Sequence, residues 1–187
     1  MSDSKSSSHS NYDPTLLEKP LGPLGLLPSF ETSTGTKEKL EKLEKFSLDR
    51  EMRCLREDKN FTVVPDRGLP TLAREFKRFM SLGLLFPNPT YNFAPSWPVD
   101  RMWHELILDT KRYQALCMEV HGAFVHHNPL DSEQIAKNAG EVIGYTKGRI
   151  YEAYGAVVPW IWGGTPLVCY YTSQCDQGIV NLAGDWP

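Results

Sequence analysis

The chain has 187 residues, of which 41% are hydrophobic and 23% charged, and its formal net charge is −3. That length buries a full core without covalent staples, and the composition is that of an ordinary globular protein. The slightly acidic balance excludes the basic excess of a nucleic-acid binder, and the roughly 18 consecutive apolar residues that a membrane span needs are absent.

The opening MSDSKSSSHS is polar and lacks the apolar core of a secretory signal, so residues 1–14 are expected to be a disordered tail on a cytoplasmic protein. In that compartment Cys54, Cys117, Cys169 and Cys175 are thiols or ligands rather than a disulfide framework. Residues 15–36 form a Leu-rich arm in which Pro20, Pro23 and Pro28 forbid a regular helix. An arm that lays its leucines on the domain surface is the plain reading, and a lid over a pocket is the sharper one.

Residues 37–187 are expected to form one helical domain. Leu40, Leu43, Phe46, Met52 and Leu55 recur at helical spacing from about Lys37, with Thr36 as the cap. FTVVPDRG is a short strand or extended link. In LPTLAREFKRFMSLGLLF, Leu72, Phe76, Phe79 and Met80 make an apolar stripe, and Arg74, Lys77 and Arg78 make a basic face. A solvated surface is the ordinary reading of that face and an anion site the sharper one.

NPTYNFAPSWP is a loop, and Ser96 is placed to cap the helix that follows. On that helix Met102, Trp103, Leu106 and Ile107 cover one arc, and Asp100 and His104 sit beside it, one turn apart. The next helix, capped by Thr110, puts Tyr113, Leu116, Cys117, Val120 and Phe124 on one face, with Gly122 softening its end. A continuous helix through residues 108–110 is the alternative. His126 and His127 follow on a segment that, if extended, points only one of them inward. A long helix then starts near Asp131 and Gln134, a capping-box-like pair. Its Gly140, Gly144 and Gly148 recur every four residues, a spacing that permits close helix contact. The end, from AVVPWIW, reads as an irregular aromatic tail. The fold class is therefore mainly α, one compact helical domain between two irregular ends.

The chemistry-bearing cluster spans residues 99–129. Asp100 orients His104, and His104 serves as acid, base or hydrogen-bond donor, with Tyr113 as a second donor. Trp97, Trp103, Ile107, Trp160 and Trp162 are the candidate walls of an apolar pocket. The Rossmann fingerprint, the P-loop and the Gly-x-Ser-x-Gly elbow are all missing. The expectation is a small-molecule enzyme without a redox cofactor, of lyase, isomerase or cyclase type, acting on a small apolar substrate. No HExxH or CxxC spacing anchors a metal, so none is favoured. The alternative is zinc or iron on His104, Cys117 and His126 or His127, with Asp100 as a further ligand. A metal-stabilised or purely structural interaction module is the competing reading, and a homo-oligomer is compatible with either.

The pattern Asp-x-x-Trp-His, Tyr-x-x-x-Cys, Gly, His-His-x-Pro falls on Asp100, Trp103, His104, Tyr113, Cys117, Gly122, His126, His127 and Pro129. With the preceding EFKRFMSLGLL, Glu75 to Leu85, it resembles the glycine-rich domain-containing protein-like family over roughly Leu69 to Pro129. The resemblance implies a helical domain and assigns no reaction. Two departures stand out: the further His that many members carry after Trp-His is Leu106 here, and the Gly-rich repeat is missing.

Overall fold

A computed structural model describes residues 20–89, 92–129, 132–163, 169–175 and 178–180. The expected tail at 1–14, the start of the arm at 15–19 and the Asp131 cap lie outside the described residues. The architecture is mainly α. Helices α1 (Thr34–Lys45), α2 (Asp49–Glu57), α3 (Leu69–Leu85), α4 (Trp97–Ile107) and α5 (Thr110–Val120) precede strand β1 (Val125–Pro129). Helices α6 (Ser132–Tyr154) and α7 (Pro159–Trp162) follow, and then strands β2 (Cys169–Cys175) and β3 (Gly178–Val180). The three strands form an antiparallel sheet in the order β1-β2-β3, so the punctuated C-terminal stretch returns β2 to β1 and adds β3 at the edge of β2. No helix of the described residues is long and apolar enough to cross a membrane.

Helix α3 is the central element, packed on α1, α4 and α6. Its predicted stripe of Leu72, Phe76, Phe79 and Met80 is fully buried. The predicted basic face is corrected at Arg78, which is buried and donates to Glu75 Oε1 at 3.0 Å and to the Leu24 carbonyl at 2.9 Å. Three residues separate Glu75 from Arg78, so one helix turn brings the two charges together inside the core. Glu75 Oε2 accepts from Trp162 Nε1 at 2.9 Å, and the Arg78 guanidinium lies 4.6 Å over the Tyr154 ring.

The first predicted helix begins earlier and ends sooner than periodicity implies. Ser33, not Thr36, is the cap, because its extended backbone (φ −66°, ψ 156°) aims Oγ at the Thr36 N–H. The run then breaks at Phe46 (φ −62°, ψ 123°), and the Asp49 N–H donates to Ser47 Oγ at 3.2 Å as α2 begins. The arm does not merely lie on the surface. Leu24 and Leu26 are buried in the main core, and the Leu27 N–H donates to the Ala153 carbonyl at 2.9 Å.

Three further expectations change. Ser96 sits at the start of α4, but its buried hydroxyl makes no capping bond. Asp109 rather than Thr110 caps α5. Among the described residues, a Cβ at Gly140, Gly144 or Gly148 would meet nothing within 4 Å, so these glycines bring no described helix into close contact. At Gly122, by contrast, φ is +76°, a conformation that ends α5 and turns the chain into β1.

Candidate metal centre

Two elements build the site. On α4, the i, i+4 spacing stacks Asp100 and His104 on one side of the helix. On β1, side chains alternate, so Val125 and His127 face the helices and His126 faces outward. Tyr113 of α5 fixes the height of the strand: its hydroxyl donates to the Val125 carbonyl at 2.6 Å and accepts from Trp103 Nε1 at 3.0 Å. The Trp103 ring meets the His127 ring edge-on, with centroids 4.7 Å apart.

Three ligating atoms therefore converge. His127 Nε2 lies 2.9 Å from Asp100 Oδ1 and 2.9 Å from His104 Nε2. His104 Nε2 lies 3.5 Å from Asp100 Oδ2. A neutral imidazole nitrogen either donates or accepts, so one Nε2 cannot serve both neighbours well without a shared proton. A cation between them satisfies all three lone pairs together. Divalent ions held at about 2.0–2.2 Å keep adjacent ligand atoms roughly 2.9–3.6 Å apart, and the observed separations fall in that range. Exposure is graded across the group: the side chain of Asp100 is 3% exposed, that of His127 15% and that of His104 42%. The carboxylate is deep, and the open side faces outward past His104. Burial pushes the His104 imidazole below its usual range, against the raising effect of Asp100, while His127 and Arg101 lower it further. A neutral ring is the form that ligates a metal.

The other predicted residues sit elsewhere. Tyr113 is buried and committed to Val125 and Trp103, which corrects its assignment as a donor to substrate. Cys117 is buried in the core, where desolvation raises its thiol, and it does not join the three converging ligands. His126 turns to Phe124, with ring centroids 4.9 Å apart, and is not in the group either.

The residues expected to wall a pocket have different surroundings. Trp103 and Trp162 are fully buried core residues, and Trp160 is 48% exposed against Gly68 and Val64. Trp97 is half-buried and stacks on Phe61, and Ile107 is half-buried on α4. The reading also missed the buried carboxylates Glu51 and Glu75. For Glu75 a signal existed, because Glu and Arg three apart on a helix can neutralise one another inside a core.

A family model described as UCP032817-like matches residues 38–144, a span from α1 into α6 that contains Asp100, His104 and His127. No curated protein and no solved structure matched the chain. The matched span is more than half of the 187 residues, and the chain belongs to the UCP032817-like family.

Proposed function

We propose that the protein is a metal-dependent enzyme acting on a small molecule, with Asp100, His104 and His127 holding one divalent transition-metal ion. The observation that carries this reading is the convergence of Asp100 Oδ1 and Oδ2 with two imidazole Nε2 atoms over 2.9–3.5 Å. Two histidines and one carboxylate are a ligand set of mononuclear zinc and iron sites, and three protein ligands leave positions for water and substrate. An ion there supplies Lewis acidity that polarises a carbonyl or activates water, consistent with non-redox chemistry of the lyase, isomerase or cyclase type.

The protein's own residues divide the remaining work. Asp100 provides the buried negative charge, and Trp103 and Tyr113 hold the His127 ring and its strand in place. Ile107, one turn after His104 on α4, offers apolar contact beside the open edge, which suits a small apolar substrate. A closed structural site would be expected to bury every ligand, and the exposed His104 favours the catalytic reading over a metal-stabilised interaction module. A cytoplasmic place of action and the likeness to glycine-rich domain-containing proteins belong to the same proposal.

The test is metal content. Untagged protein purified without chelator should carry close to one zinc or iron per chain by plasma emission. Asp100→Ala, His104→Ala and His127→Ala should each lose it while keeping wild-type helicity, and Cys117→Ala and His126→Ala should retain it. Metal-free wild-type protein that also takes up no added zinc or ferrous iron would sink the reading.

A further inference from the structure

A second concavity lies away from the three ligands, between the arm, the α1–α2 corner and α3. Its volume is about 630 Å³, within the ~300–1,000 Å³ range of small-molecule sites. Its apolar wall includes Leu24, Phe46, Leu48 and Met52, and Arg74 and Lys77 line it from α3. The acidic groups at the same surface are already engaged. Glu44 Oε1 accepts from the Leu24 N–H at 2.8 Å, and Asp49 Oδ2 accepts from the Ser47 hydroxyl at 2.7 Å. Arg78 is committed to Glu75 and to the Leu24 carbonyl.

Lys77 differs from these groups. Its Nζ donates to a neutral acceptor, the Glu44 backbone carbonyl, at 2.6 Å. An ammonium has three N–H donors, and that bond uses one. Burial pushes the Lys77 amine below its ordinary value, with Glu44 and Asp49 countering only in part. The arm that walls the concavity is itself held under strain: Leu24, a residue with a full side chain, sits at φ +58°. Strained backbone of this kind clusters at ligand clamps.

We propose that this concavity binds an amphipathic monoanion, a carboxylate on a short aliphatic chain, with its head on Lys77 and Arg74 and its chain against Leu24, Phe46 and Met52. A single negative charge fits better than a dianion because Glu44 and Asp49 line the same rim. The arm then acts as the wall of a binding site. The three-ligand centre is not required for this binding.

Isothermal titration of the full chain with octanoate, octan-1-ol and acetate tests the proposal. Octanoate should bind saturably with one site per chain, octan-1-ol at least about tenfold more weakly, and acetate without measurable heat. Lys77→Gln should weaken octanoate about tenfold, the loss of one charge-assisted hydrogen bond, and Lys77→Arg should recover most of it. Equal binding of octanoate and octan-1-ol, unchanged affinity in Lys77→Gln, or uptake of many octanoates per chain would each overturn it. If Lys77→Gln does not fold, the octanoate and octan-1-ol comparison on wild type decides alone.

Discussion

Three carboxylates are buried among the described residues, and the surroundings of two of them, Glu75 and Asp100, differ in kind. Around Glu75, Oε1 meets the Arg78 guanidinium and Oε2 meets the Trp162 indole N–H, so both oxygens face donors. The same network fastens the arm through Leu24 and extends to α6 through the Arg78–Tyr154 contact. Around Asp100 the partners are two imidazoles whose Nε2 atoms also face one another. The first arrangement is complete as a set of hydrogen bonds and ties four parts of the chain together. The second brings three ligating atoms together, as a bound cation would require, and one of its members opens to solvent. A buried carboxylate thus reads as structural where permanent donors match both oxygens and as a functional candidate where imidazole nitrogens converge on it.

Several changes would break or sharpen that contrast. The largest effect is expected from Glu75→Ala, which leaves the Arg78 guanidinium buried and unpaired and the Trp162 N–H without its acceptor. A loss of about 3–5 kcal/mol is expected in urea unfolding, with the metal content of the folded fraction unchanged.

Acid should separate the two regions next. His121, at the end of α5 with its Nε2 buried, is pushed down to about 3, chiefly by desolvation and secondarily by Lys39. His104 is shifted in the same direction. An unfolded histidine takes its proton near 6.5, so between about 6.5 and 3 the unfolded chain binds the extra proton at His121. Stability is therefore present above that window and falls as pH drops through it, by at most about 1.4 kcal/mol per pH unit. Unfolding midpoints measured from pH 7 to pH 4 should show this slope, and His121→Gln should remove most of it. An unchanged slope in that variant would contradict the assignment.

A smaller effect is expected from Tyr113→Phe, which strips the Val125 carbonyl and the Trp103 N–H of one shared partner. The cost should be about 1–3 kcal/mol, accompanied by weaker metal retention because β1 carries His127. The smallest should be Asp100→Asn in metal-free protein, which keeps the shape and alters stability by about 1 kcal/mol or less. In the metal-loaded protein the same substitution should abolish retention on a desalting column. If Asp100→Asn instead unfolds the metal-free chain as severely as Glu75→Ala, the two carboxylates are alike and the contrast fails.

Much of the helical framework was legible in the residues. The stripe on α3, the Asp100–His104 stacking and the β alternation of His126 and His127 all follow from local periods. The break at Phe46 was not legible, because a serine two residues before Asp49 offers a local turn that apolar spacing does not register. Nor was the fate of Arg78, whose basic character suggested solvent until the arm folded over it and Glu75 neutralised it. The surroundings of the tryptophans were not legible either. Residue type says that an indole is buried or half-buried, but not whether it faces a hollow or another side chain.

By itself, then, the sequence determined the helical class, the stacking of Asp100 under His104 and the exclusion of a membrane-spanning helix among the described residues. Those properties depend on neighbours within a turn or two, where geometry is set by the backbone alone. Only the tertiary structure decided that His127, 23 residues beyond His104, supplies the third converging atom and that Cys117 and His126 do not. That choice rests on where Tyr113 and Trp103 hold β1 against α4, a packing outcome that no local period encodes.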